Sequence, residues 1–202
     1  MMQKLISKIY QTWFFWRWRR ISWLRLSFYD YLIVKHQFKQ KIDNSIDLEN
    51  LRGKRNHLLG EAHKIIKIYE NICKECGGKC CFGLHQRFSP LDSLFIPLDR
   101  NKINPDLYNP LNLILNRIKK TWDSSYRSYK TNPNKPCFYL TSNGCQLSIS
   151  KRPLVCTMYF CKSFVFKMKL QDLKKLSKIF NGLENITIKA GKLRTKECFL
   201  FC

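Results

Sequence analysis

Leu58, Leu59, Ala62, Ile65, Ile66 and Tyr69 recur at helical spacing and predict a core-facing stripe. They lie in a helical region expected from Ile42 to Ile72, with Arg52-Gly53-Lys54 as its candidate interruption. The segment before it has a different pattern. Trp13-Phe14-Phe15-Trp16-Arg17-Trp18-Arg19-Arg20 leads into Trp23-Leu24-Arg25-Leu26 and then Phe28-Tyr29-Asp30-Tyr31-Leu32-Ile33-Val34. No Gly or Pro occurs from Met1 to Arg52, so this segment also predicts a long helix. Arg17, Arg19, Arg20 and Arg25 do not gather on one face of that helix.

Further along, Ser89-Pro90-Leu91-Asp92 has the form of a helix start, with Ser89 as cap and Asp92 as its reciprocal partner. Pro97 must soon end or kink such a helix. Leu111 to Trp122 reads as another helix, and Ser124 to Pro136 as a polar connecting loop. Phe164, Phe166, Met168 and Leu170 alternate with more polar positions and predict a short strand. Asp172 to Phe180 predicts a short helix stopped at Asn181-Gly182, and Ile186-Thr187-Ile188 a second short strand. The expected fold is mainly α, with an irregular cysteine-rich metal-binding core and at most short strands. Residues 1–40 form a basic aromatic helical arm and residues 41–202 a small cysteine-cluster domain.

Composition adds a charge question. The chain of 202 residues has 37 basic and 14 acidic side chains, a net charge of +23, while 45% hydrophobic and 14% aromatic content excludes a wholly disordered chain. Such a balance favours polyanionic surroundings. A general compositional drift toward Lys, Asn and Ile explains it equally well. Alternating Trp and Arg suits an interfacial helix, because indole sits at headgroup depth while guanidinium meets phosphate. For residues 13–35, packing on the domain with arginines stacked on rings comes first. Contact with an anionic membrane surface comes second, and stacking on nucleic acid third.

The start of the chain lacks an apolar core followed by a small-residue cleavage site, and no run of 18 apolar residues occurs. The expectation is a cytoplasmic protein, with a peripheral place at the inner membrane surface as the variant. In that reducing compartment clustered cysteines more often bind metal than form disulfides. Eight of the ten cysteines fall in two blocks, 73–81 and 137–161. Cys73-x2-Cys76 is the spacing at which two thiolates reach one tetrahedral ion from a tight turn. Gly77 and Gly78 follow, where the chain must turn around the metal. Cys80 and Cys81 point in divergent directions, so they serve two metal positions or one of them is structural. Cys137 and Cys145 enclose the turn sequence Ser142-Asn143-Gly144, and Cys156 and Cys161 complete the set. Lys74, Lys79, Lys151, Arg152 and Lys162 flank these thiolates, as a negative thiolate site would favour. His57 and His63 lie six apart and read as ordinary histidines rather than as ligands.

The pattern Cys73-x2-Cys76-Gly77-x2-Cys80-Cys81, then Cys137-Phe138-Tyr139-Leu140, Asn143-Gly144-Cys145, Arg152-Pro153-x2-Cys156 and Cys161, resembles the YkgJ-type CxxCxxCC cysteine-cluster family. That family is described as zinc- or iron-chelating, and its relatives include flagellin lysine-N-methylase. The resemblance runs from residue 70 to 165. Phe82 to Pro136, the aromatic arm, Cys198 and Cys202 fall outside it.

Three functions are expected in turn. The first is a metal-binding protein, holding an iron–sulfur cluster or zinc. All-cysteine ligation without histidine favours iron–sulfur, although the spacings match neither standard ferredoxin pattern. The second, implied by the resemblance alone, is a protein lysine N-methyltransferase-like enzyme, and the glycines form no Gly-x-Gly nucleotide loop. The third is a membrane or nucleic-acid adaptor acting through the arm.

Overall fold

The computed structural model describes residues 2–22, 25–26, 29–30, 33, 46–75, 89, 91–96, 139–141, 144–158 and 160–199. They are mainly α-helical. In chain order they form α1 (Met2–Trp16), a π-helical segment (Arg17–Ile21), α2 (Ile46–Lys67), α3 (Glu70–Glu75) and a 3-10 turn (Asp92–Leu94). Strands β1 (Leu140–Thr141) and β2 (Gly144–Cys145), a second 3-10 turn (Ile149–Lys151), α4 (Leu154–Met158), α5 (Lys162–Lys167) and α6 (Leu170–Phe199) follow. The expected helix over 111–122 and loop over 124–136 lie outside the described residues.

The axis of the structure is α6, whose 30 residues span about 45 Å at 1.5 Å per residue. Leu173, Leu176, Phe180 and Leu183 are fully buried along one stripe of it. Its start is held by Tyr69, whose hydroxyl donates to Asp172 at 2.6 Å and accepts from the Lys169 N–H at 3.1 Å. The predicted stop at Asn181-Gly182 is corrected here, for α6 runs through Asn181 and Gly182 and through Ile186 to Ile188, where a strand was expected. Gly182 does different work from a cap. A Cβ there would stand 2.8 Å from Leu58 Cδ1, so the missing side chain lets α2 approach α6 closely. The strand expected over Phe164 to Leu170 is also corrected. It is α5 followed by an extended Met168, with Phe164, Val165 and Met168 all buried. An apolar run of this length does not by its own periodicity separate strand from buried helix.

Two helices flank α6. On one side α2 runs antiparallel to it, since Leu58 meets Gly182 while Tyr69 meets Asp172. Its stripe matches the sequence expectation, with Leu59, Ala62 and Tyr69 buried and Leu58, Ile65 and Ile66 packed against them. Gly53 does not interrupt the helix. The break comes at Ile68 and Tyr69, whose N–H groups bond to Ile65 and Ile66 carbonyls three residues back. Asp47 and Glu49 in the first turn and Lys64 and Lys67 in the last agree with the helix dipole.

On the other side the aromatic segment runs parallel to α6. Gln11 donates to the Phe166 and Met168 carbonyls at 3.3 and 3.2 Å, Phe14 and Trp18 pack on Phe180, and Arg17 reaches Glu184 at 2.7 Å. Helical geometry recurs at Ser22, Leu26, Asp30 and Ile33, all buried. From Phe14 to Asp30 the buried positions are therefore four apart. An α-helix drifts by roughly 40° at each four-residue step, and a π-helical turn is wider. The Arg17–Ile21 segment takes up part of that drift and keeps the buried face on α6. Packing, the first expectation for these aromatics, is what Phe14 and Trp18 do. Arg17 behaves as anticipated too, lying 4.6 Å over the Trp18 ring.

Candidate metal centre

The second cysteine block is built on a hairpin and a buried guanidinium. Leu140 pairs with Cys145 and Thr141 with Gly144, so a two-residue link over 142–143 makes the turn where the sequence places it. The Gln146 N–H donates to the Tyr139 carbonyl at 2.9 Å and closes the hairpin base. Cys145 is exposed at its end. Beyond it the chain has no regular ladder to satisfy its backbone, and side chains from elsewhere take over.

Arg55 of α2 does most of this. Its Nη1 donates to the Ser150 carbonyl and its Nη2 to the Arg152 carbonyl, each at 3.1 Å, and its guanidinium lies 5.1 Å over the Phe95 ring. Arg152 in turn donates through Nε to the Leu147 carbonyl at 3.0 Å. A planar fork of fixed geometry holds two separated carbonyls in set directions, which the compact, rotatable ammonium of a lysine does not reproduce.

Asp92 completes the arrangement. Its Oδ1 accepts from the Leu154 N–H at 2.9 Å and its Oδ2 from the Ser89 N–H at 3.0 Å, while its own N–H donates to Ser89 Oγ at 3.3 Å. The reciprocal Ser89–Asp92 capping expected from sequence is thus present, although the helix it opens is only the 3-10 turn Asp92–Leu94. Burial pushes the Asp92 carboxyl up, opposed by the Ser89 and Leu154 N–H groups and by Arg55. Burial likewise lowers Arg55, opposed by the charge of Asp92. The charge of each partly offsets the other's burial, and the Ser89 and Leu154 N–H groups do more for Asp92 than Arg55 does. Nearby, the His63 imidazole is pushed down, by burial first and then by the charge of Arg152.

From Leu154 the chain is helical again, with the Cys156 N–H bonded to the Pro153 carbonyl at 2.9 Å and Cys156 itself exposed. Cys161 is half-buried and caps α5, its Sγ accepting from the Phe164 N–H at 3.4 Å. The first block begins in α3, which contains Cys73 and ends at Glu75. This helix packs against α5, and Glu75 pairs with Lys167 at 3.1 Å. The first cysteine of one block and the last of the other therefore belong to neighbouring elements. Cys76, Cys80, Cys81, Cys137 and Cys202 lie outside the described residues, and Cys198 falls near the end of α6. Among the described residues no three His, Cys, Asp or Glu side chains converge on one point.

Arg55 is the residue that sequence reasoning passed over. Its signal was present, because Leu48, Leu51, Arg55, Leu59 and Ala62 form one helical stripe with a single charge in it. Glu184 is the same kind of signal on α6, buried beside Phe180 and Leu183 and paired with Arg17 and Arg25. His57 is exposed and His63 half-buried, as ordinary histidines are. Among the described residues no helix is long and apolar enough to cross a membrane. Comparison with family models, with curated proteins and with solved structures finds no match for this chain.

Proposed function

We propose that this is a metal-binding protein whose two cysteine blocks, Cys73, Cys76, Cys80 and Cys81 with Cys137, Cys145, Cys156 and Cys161, together hold an iron–sulfur cluster or zinc. The observation that carries the reading is the two-block spacing itself, CxxC and CC joined to turn-spaced and helix-start cysteines. The donor set fits such a group, because thiolates are soft ligands and no histidine is needed. The packing of α3 on α5 supports a joint site, since it puts Cys73 and Cys161 on adjoining elements. Likeness to the YkgJ-type cysteine-cluster family and a place in the reducing cytoplasm belong to the same proposal. Of the two groups, all-thiolate ligation favours iron–sulfur.

Anaerobic purification with metal analysis and an absorption spectrum tests it. Broad absorbance near ~400 nm with iron and sulfide supports the cluster. Colourless protein with stoichiometric zinc moves the assignment to zinc. Protein without tightly held metal, unchanged by replacing any of the eight cysteines with serine, would sink the proposal. Cys80→Ser and Cys81→Ser made singly divide the adjacent pair. Metal loss from one alone makes the other thiol structural.

A further inference from the structure

The outer face of α1 has an arrangement that packing against α6 does not explain. Met2, Leu5, Ile6, Ile9, Trp13 and Trp16 are all between 46% and 75% exposed, although every one is large and apolar. At about 100° per residue they fall within a sector roughly 100° wide. The buried Gln11 and Phe14 lie on the opposite side of the same helix. So α1 has one face locked to the body through Gln11 and Phe14 and an apolar face presented to solvent. Scattered exposed apolar residues need no explanation, whereas a continuous helical stripe of six does.

The charges around this stripe indicate what covers it. Residues 1–29 contain Lys4, Lys8, Arg17, Arg19, Arg20 and Arg25 and no acidic residue at all, with Arg17 and Arg25 paired to Glu184 of α6. The first carboxylate, Asp30, is buried and accepts a hydrogen bond from the Leu91 N–H. Lys4 and Lys8 are exposed on the turns that carry Leu5 and Ile9. Two half-exposed tryptophans within an aliphatic stripe, with the exposed Lys8 on its flank and Lys4 further round the helix, are what the boundary between headgroups and acyl chains accommodates. Among the described residues no helix is long and apolar enough to cross a membrane, so α1 would lie along the surface. Its inner face is already fastened by Gln11, Phe14 and the Arg17–Glu184 ion pair, so docking requires no unfolding.

We propose that the exposed face of α1, formed by Met2, Leu5, Ile6, Ile9, Trp13 and Trp16, is a docking surface for an anionic lipid bilayer and places the protein flat on it. This stands independently of the metal reading. It also differs from the sequence expectation, which centred membrane contact on residues 13–35. Phe14, Trp18, Leu26 and Ile33 from that stretch are buried, and the contacting residues shift toward the start of the chain.

Flotation of the full chain with vesicles of phosphatidylcholine, with and without phosphatidylglycerol, tests the proposal. Binding is expected only with the anionic lipid and weakens at high salt. Leu5→Glu with Ile9→Glu reduces the bound fraction about tenfold or more, since two carboxylates then enter the interface. Lys4→Gln with Lys8→Gln weakens it, while Lys174→Gln with Lys178→Gln on exposed α6 positions removes the same charge with little effect. Unchanged far-ultraviolet circular dichroism shows that each variant is folded. Absence of binding, or equal loss from the two lysine pairs, overturns the proposal. So does a concentration-dependent dimer, or a nucleic-acid complex, that the Leu5→Glu and Ile9→Glu pair disperses while vesicle binding persists.

Discussion

The interface of α6 with its neighbours and the segment from Ser148 to Leu154 both lie against α2, yet they are held by different forces. Along α6 the contact is distributed. Leu173, Leu176, Phe180 and Leu183 each contribute area, and none is uniquely placed. From Ser148 to Leu154 the contact is concentrated in Arg55 and Asp92, which supply bonds to Ser150, Arg152 and Leu154. A distributed apolar interface tolerates changes that conserve volume. A directional one fails when its single donor loses its shape.

The sharpest way to break the comparison is Arg55→Ala. It strips two carbonyls of their donor and removes the charge that partly offsets the burial of Asp92, and should cost about 2–4 kcal/mol. Denaturant unfolding measures the loss. If the cysteine block is a metal site, metal retention should fall with it. Arg55→Lys keeps the charge and should still cost about 2 kcal/mol, because the ammonium lacks the two spaced, directed Nη groups that reach Ser150 and Arg152. A neutral Arg55→Lys would show that charge alone holds the segment.

The next effect belongs to the closest approach of α2 and α6. Gly182→Val should destabilise by about 1–3 kcal/mol through overpacking against Leu58. Adding Leu58→Ala should recover part of that loss, and a double-mutant cycle reports the coupling. Phe180→Leu, read by the same unfolding midpoint, should cost about 1.5 kcal/mol or less. A larger cost for Phe180→Leu than for Arg55→Lys would reverse the contrast between the two regions.

The smallest effect is a pH slope. Burial and Arg152 hold the His63 imidazole below its ordinary value of 6.5, so the unfolded chain binds more protons than the folded one around and below that pH. Stability should therefore decline as pH falls through 6.5 toward the lower folded value. His63→Gln should flatten that decline, as thermal midpoints across the window would show.

Features decided within a few residues were legible in the chain. The stripe from Leu58 to Tyr69, the reciprocal Ser89–Asp92 cap and the turn between Thr141 and Gly144 all depend on local spacing, and all appear where the sequence places them. The two glycine readings failed for a common reason. Gly53 and Asn181-Gly182 carry stop signals, but packing of α2 along α6 outweighs the modest cost of glycine within a helix. The strand expected over Phe164 to Leu170 failed because burial falls on Phe164, Val165 and Met168 while Phe166 is exposed, a helical and not an alternating pattern.

By itself, then, the sequence determined a mainly helical chain and the grouping of eight cysteines into two blocks, because helix patterning and residue spacing are short-range properties. Only the tertiary structure decided which aromatics of the first helix are buried and which six apolar residues face outward. It also decided that one charged residue within an apolar stripe, Arg55, holds the second cysteine block in place. Both depend on what lies across the interface, and side chains far apart in sequence carry no mark of that in their local pattern.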